Sequence, residues 1–322
     1  MASMELDCWK GDWGLPSVDS NCLIVMAYAK FAGAPIKLRR TNNPWWSRTG
    51  ELPTFRSENR VLHKPIEIIN YLKDHNFSAD EEVPEKDQMT AYAFSSLVEY
   101  KLLPALLYTW WMDAKNYVEF TRAWYAKALP FPFNFFIPGR IHKAVIKRLE
   151  SSRGGPHVED GELENILLKD ARECLNLLSA RLGDKDFFYG NTPTFTDAIV
   201  FGHIAPLLKA PFPSSKLQNH LKGCPNLCAY CGRILQRYFP PDPEDNTRPK
   251  AKPEEKPDDP FEDPHKLRNQ ILSVGFAAIA MVAYALLSGL VQVEFVSEQE
   301  NDEESSPPEL EEFEFDDDDD TT

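Results

Sequence analysis

The sequence predicts an α+β body followed by a single C-terminal transmembrane helix, and three observations carry that reading. Strand-like and helix-like runs mix through residues 1–80, the pattern is helical through 81–239, and residues 271–293 contain no charged side chain. A proline- and charge-rich stretch at 240–268 separates the body from an anchor at 269–293, and an acidic tail occupies 294–322.

Within the first part, Met4 to Trp9 suits a strand. Residues 18–31 are apolar nearly throughout and read as a buried helix, with Ser17 as the candidate N-cap and Gly33 and Pro35 ending it. Residues 36–40 suit a second strand. Glu51 to Phe55 and Val61 to His63 suit the two strands of a hairpin. Pro65 fits the first turn of a helix whose inner face is marked by Ile66, Ile69 and Leu72. The order is β-α-β-β-β-α, with a tryptophan-rich loop at 44–47.

In the second part, Met89, Ala93, Leu97 and Tyr100 follow one helical stripe. A stronger one runs through Leu163, Ile166, Leu167, Ala171, Cys174, Leu175, Leu178 and Leu182, and Gly183 closes it. Phe187, Phe188, Tyr189 and Gly190 form a packed turn. Thr194 then opens an apolar helix as its cap, and Asp197 can reach back to the Thr194 N–H.

Residues 271–293 as a helix span about 35 Å, against roughly 30 Å of hydrocarbon. Ile271, Phe276, Met281, Leu286 and Val293 mark the expected membrane anchor. Lys266 and Arg268 precede it and no basic residue follows, which places the body in the cytosol. The formal charge of −15 belongs to the tail, whose 15 acidic residues are unaccompanied by Lys or Arg. Residues 1–293 are formally neutral, so no bulk basic excess invites nucleic acid. Residues 1–15 carry neither a secretory nor a matrix-targeting pattern, and the six cysteines are expected to be reduced thiols.

An N-terminal α/β half with a proline before its hairpin, then helices and an internal capping box, resembles the glutathione transferase fold, with a thioredoxin-like N-terminal subdomain and an all-helical C-terminal one. The strings MELDCWKGDWGLPSVD, YAKFAGAPIKL, EYKLLPALLYTWW, WYAKALPFPFNFFIPGR, ARECLNLLSARLG, FFYGNTPTFTDA and NLCAYC resemble the metaxins across residues 4–239. The apolar segment that begins RNQILSV resembles that of the membrane-anchored member of the family. The resemblance implies a non-catalytic subunit on the cytosolic face of the mitochondrial outer membrane, with its tail in the intermembrane space. It implies pairing with a related metaxin, and action with the β-barrel sorting and assembly machinery on mitochondrial precursor proteins. A membrane-anchored glutathione-dependent transferase and an adaptor to transport motors are the alternative readings.

The residues argue against catalysis. Transferases of this fold open their third helix with a pattern like [EQ]-S-x-A-I-x-x-Y-L, where this chain has Lys64-Pro65-Ile66-Glu67-Ile68-Ile69-Asn70-Tyr71-Leu72. Proline offers no N–H to a carboxylate, and Lys64 reverses the charge expected opposite an amino group. The resemblance also implies that Pro53 keeps the fold's cis turn. Ser17 suits a cap better than an activating hydroxyl, and Cys8 suits a buried strand position. His220, Cys224, Cys228 and Cys231 have ligand-like spacing, but Pro225 interrupts their helix, so core cysteines are expected and no metal or cofactor. Finally, Phe131, Phe133, Phe135 and Phe136 precede Arg140, His142, Lys143, Lys147 and Arg148. Aromatics beside cations suit a protein interface or a membrane surface, and equally a helical tip folded onto its own core. Phe135, Phe136 and Arg140 are the candidate partner-binding residues.

Overall fold

Four strands, β1 (Met4–Trp9), β2 (Ile36–Thr41), β3 (Thr54–Ser57) and β4 (Arg60–Leu62), form one sheet in the order β2-β1-β3-β4. The computed structural model describes residues 4–42, 52–58, 60–81, 83–152, 160–240 and 266–287. The tryptophan-rich loop and nearly all of the proline-rich stretch lie outside these. The chain divides into two compact units, Met1–Glu254 and Glu255–Thr322.

Strands β1 and β2 are parallel, so the chain needs a crossover, and α1 (Ser20–Phe31) supplies it. Strand β3 runs antiparallel to both β1 and β4. Asp7, only 2% exposed on β1, is held by Arg39 Nε at 2.6 Å and Arg56 Nη2 at 2.6 Å, one from each neighbouring strand. A buried carboxylate with two cations pins the register at the sheet's centre. Helix α2 (Pro65–Asp74) completes the β-α-β-β-β-α order.

The remaining elements of the body are helical: α3 (Glu85–Leu97), α4 (Leu103–Leu107), α5 (Ala114–Asn116), α6 (Arg122–Ala128), α7 (Phe133–Ser152), α8 (Asp160–Leu182), α9 (Phe195–Lys209), α10 (Lys216–Lys222) and α11 (Pro225–Tyr238). Wide π turns at Val98–Leu102, Tyr108–Met112 and Tyr117–Thr121 separate the early ones. Pro104 has no N–H to give, which helps to explain why the ladder shifts register near it.

Several expectations are corrected. The N-cap of α1 is Asp19, whose Oδ2 accepts from Cys22 N at 2.8 Å; Ser17 sits two residues earlier and its Oγ accepts from Asp19 N at 3.4 Å. The helix starts at Ser20, two residues after its apolar run begins, which moves the cap from Ser17 to Asp19. On α2 the inner face is Ile68, Ile69, Tyr71 and Leu72, while Ile66 is exposed. Of the stripe Met89, Ala93, Leu97 and Tyr100, Leu97 packs against the core and the other three are exposed, while Phe94 on α3 and Val98 in the first π turn face inward. The first π turn rotates later residues, so a single 3.6-residue period does not extend across it. The α8 stripe is buried except for Ile166, and Gly183 closes it at φ 54°.

Helix α9 is the centre of the body, with every residue from Phe195 to Leu207 buried. It lies so close to α1 that a Cβ on Gly202 would come within 2.4 Å of Ile24 Cγ1. Its start is the capping box read from the sequence. Asp197 accepts from Thr194 N at 2.8 Å, from the Thr194 hydroxyl at 2.8 Å and from Phe188 N at 3.1 Å, while Tyr230 donates to its carbonyl at 2.9 Å. One residue thereby ties α9 to the turn at 187–190 and to α11.

Burial pushes the Asp197 carboxyl up to about 6, against the opposing pull of its hydrogen bonds. The unfolded group titrates near ~3.9. Between those values the folded chain holds a proton that the unfolded chain has released, so this group lowers stability as pH rises through that window. Asp197→Asn keeps the shape but places an amide N–H where Thr194 donates. Urea denaturation at neutral pH should show a loss of about 1–3 kcal/mol. The difference between wild type and variant should shrink as pH rises from about 4 to about 6.

Candidate functional site

The turn after β1 is where a transferase of this architecture would place its activating group. Here it is tightly wound. Trp13 has φ 52° and Gly14 φ 77°, and a Cβ on Gly11 would meet Leu15 O at 2.2 Å. Ser17 is fully buried, its Oγ directed to the Asp19 N–H. The Leu52–Pro53 bond is cis, as the fold resemblance implied, and Thr54 Oγ1 lies 3.2 Å from His63 Nδ1. Helix α2 starts with Pro65 at its first position and no side-chain cap, and Lys64 Nζ turns to Glu67 Oε1 at 3.0 Å.

Aromatic side chains line the crevice between this turn and the helices. The Trp13 ring centroid lies 5.3 Å from Phe120, 5.7 Å from Trp124 and 5.8 Å from Trp110. Trp9 adds edge contacts to Trp124 and Tyr125, and Phe212 closes on Trp110 at 4.8 Å. Trp124 Nε1 donates to Asp12 Oδ2 at 2.7 Å, so the turn is bound to α6 by a hydrogen bond as well as by ring contacts. This cluster was not singled out from the sequence. Trp9 and Trp13 stand on either side of the turn's start and Trp110 and Trp124 on the helical segments that meet it, but no spacing in the sequence pairs them.

Burial raises the Cys8 thiol to about 11, with Arg40 opposing, and raises Cys174 to about 12. It pushes Cys22, Cys228 and Cys231 up as well. A thiol held protonated is a poor nucleophile. His220 Nε2 meets Asn176 Oδ1 at 3.0 Å, while Cys224 and Cys228 point to the His220 and Leu221 carbonyls. Among the described residues no group of three or more His, Cys, Asp or Glu could hold a metal ion.

Two cavities lie elsewhere. One, of about 410 Å³, is lined by Leu103, Leu107 and Leu149 together with charged residues of both signs, among them Glu99, Lys101, Arg148 and Asp170. The other, of about 200 Å³, is lined by residues that include Lys73, Asp80, Tyr92 and Phe195. Lys73 and Asp80 there pair at 2.7 Å and Asp80 accepts from Phe195 N, so these two groups help to hold α2 to α9.

The candidate partner-binding residues are on the surface. Phe135 is 67% and Phe136 71% exposed, and Arg140 is exposed about one turn on, while Pro138, Val145 and Leu149 of the same helix are buried. Of the expected anchor, α12 (Lys266–Leu287) is helical, with Ile271, Phe276 and Met281 exposed; the Leu286 side chain and Val293 lie outside the described residues. Among the described residues no helix is long and apolar enough to cross a membrane.

Comparison with known proteins decides the family. Residues 22–142 match the model of the outer mitochondrial membrane transport complex protein family, and residues 171–234 match the glutathione S-transferase C-terminal domain. Metaxin-1 of Mus musculus is 49% identical over 92% of this chain and 93% of its own length. The chain belongs to the metaxin family. Metaxin-3 of Danio rerio is 46% identical over 73% of this chain and 76% of its own, and the metaxin-1 homolog of Caenorhabditis briggsae is 33% identical over 90% and 97%. The fold is glutathione-transferase-like, with a sheet-and-helix N-terminal part and a helical C-terminal part. Among solved structures, the β-etherase LigF from Sphingobium sp. strain SYK-6 is similar at TM-score 0.49 and 15% identity, over 73% of this chain and 96% of its own.

Five of the six thiols are buried and Cys228 alone is partly exposed. Ellman's reagent at about pH 8 should therefore titrate Cys228 in a phase that is fast relative to the five buried thiols, though slower than a free thiol because burial raises Cys228 too, and should titrate all six alike after unfolding. Cys228→Ser should abolish the fast phase.

Proposed function

We propose that this metaxin is a non-catalytic subunit on the cytosolic face of the mitochondrial outer membrane. It acts in protein import and in the sorting and assembly of β-barrel proteins, paired with a related metaxin. The observation that carries the non-catalytic part is the aromatic crevice. Where a transferase needs open space, Trp13, Trp110, Phe120 and Trp124 pack on one another. Pro65 removes the N–H that would meet a ligand carboxylate, and Ser17 is buried as part of the α1 cap. The transport half rests on the family match and on the metaxin relatives.

The chain is anchored by residues 271–293, whose uncharged run continues beyond α12. Lys266 and Arg268 keep the body in the cytosol, and the acidic tail crosses to the intermembrane space. Contacts are made by surfaces, foremost the start of α7 with Phe135, Phe136 and Arg140.

In isolated mitochondria depleted of this chain, a radiolabelled β-barrel precursor should assemble more slowly, and re-expression should restore the rate. Unchanged assembly would remove the proposed role. The full-length chain should resist alkaline extraction and lose its body to added protease. A chain ending at Arg268 should be extracted, and a protease-protected body would reverse the topology.

A further inference from the structure

We propose that the outer face of α7 rests on an anionic membrane surface, with Phe135 and Phe136 entering the headgroup region and Arg140, Lys143 and Lys147 meeting lipid phosphates. The proposal rests on the anchor reading, since a tether is what brings the body to a bilayer.

Helix α7 has two opposed faces. Pro138, Val145 and Leu149 are buried against the body, and His142, whose Nδ1 lies 2.7 Å from Trp111 O, stacks on Tyr117 at 4.4 Å. Opposite them stand Phe136, Arg140, Lys143 and Lys147, all exposed, at intervals of four, three and four. Those intervals keep the four side chains within one narrow arc. Phe131 supports Phe135 edge-on at 6.0 Å, so the aromatic tip is preformed.

The face is basic from Arg140 to Lys147, and the first acid of α7, Glu150, is exposed on the same arc one turn further on. Residues 133–149 contain no Asp or Glu, and none of Arg140, Lys143, Lys147 and Arg148 forms an ion pair among the described residues. Lysine is depleted at protein interfaces, whereas aromatic tips beside lysine and arginine suit peripheral membrane contact. Two lysines at the centre of this face therefore favour lipid over a protein partner. Geometry helps too. The 31 residues between Phe239 and Ile271 reach at most about 110 Å. The tethered body thus meets the bilayer at an effective concentration on the order of a millimolar, so a weak face suffices.

The test reconstitutes the full-length chain into vesicles of phosphatidylcholine, with or without phosphatidylserine, and follows amide hydrogen exchange by mass spectrometry. Exchange across residues 131–147 should slow when phosphatidylserine is present, each cation contributing roughly a fivefold preference. The slowing should vanish in Arg140→Glu/Lys143→Glu and diminish in Phe135→Ser/Phe136→Ser, with melting temperatures unchanged. If the chain floats with both vesicles but α7 exchanges alike in each, the membrane face is wrong and the anchor stands. If it floats with neither, the anchor reading fails and this proposal falls with it. Slowing that appears only after outer-membrane proteins are added assigns the face to a protein partner and overturns the lipid assignment.

Discussion

A carboxylate that water does not reach organises the body. Asp197 is fully buried at the first turn of α9, the most enclosed helix of the chain. Such a group is tolerated only where donors surround it. The donors come from the cap residue Thr194 and from Phe188 in the preceding turn, while Tyr230 of α11 satisfies the Asp197 carbonyl. The start of α9 is thereby fixed in place and direction. Gly202, one further turn and a half along, lets the same helix approach α1 at a distance that a side chain would forbid. With α1 fixed, the turn ahead of it is fixed as well, and Trp13 is delivered to the aromatic cluster.

That sequence of constraints separates scaffold from chemistry. The scaffold keeps the strand order, the cis Leu52–Pro53 bond and the capping box. The positions that a transferase would use have been given to packing. Trp124 donates to Asp12 across the crevice, Ser17 supports the α1 cap, and Pro65 starts α2 without a donor. On the proposed reading, function has moved to the outside, where Phe135, Phe136 and the cations of α7 are presented by a helix whose inner face is firmly packed on Trp111.

Much of this was legible in the sequence because local rules were obeyed. The alternation from Met4 to Trp9, the apolar run ended by Gly33 and the Thr194–Asp197 spacing each have a short-range physical cause. The failures have causes of another kind. Ile66, Met89, Ala93 and Tyr100 fit an apolar stripe, but tertiary packing buries their neighbours Ile68, Phe94 and Val98 instead and keeps only Leu97 of the second stripe. The π turns spoil the helical period, and no local feature announces them except Pro104. The tryptophan cluster depends on contacts between positions about 100 residues apart, which spacing does not encode. Asp12 gave no sign of its partner for the same reason.

The crevice is filled by half-buried aromatic side chains packed against the core, not held open for a ligand. Fluorine NMR of the chain carrying 5-fluorotryptophan tests it most directly, with S-hexylglutathione added to millimolar levels as a ligand that would occupy both halves of a transferase site. The resonances of Trp9, Trp13, Trp110 and Trp124 should stay where they are through the titration. A saturable shift of these resonances, concentrated at Trp13 and Trp124, would show that the crevice opens to ligand and that the aromatic packing is not what fills it.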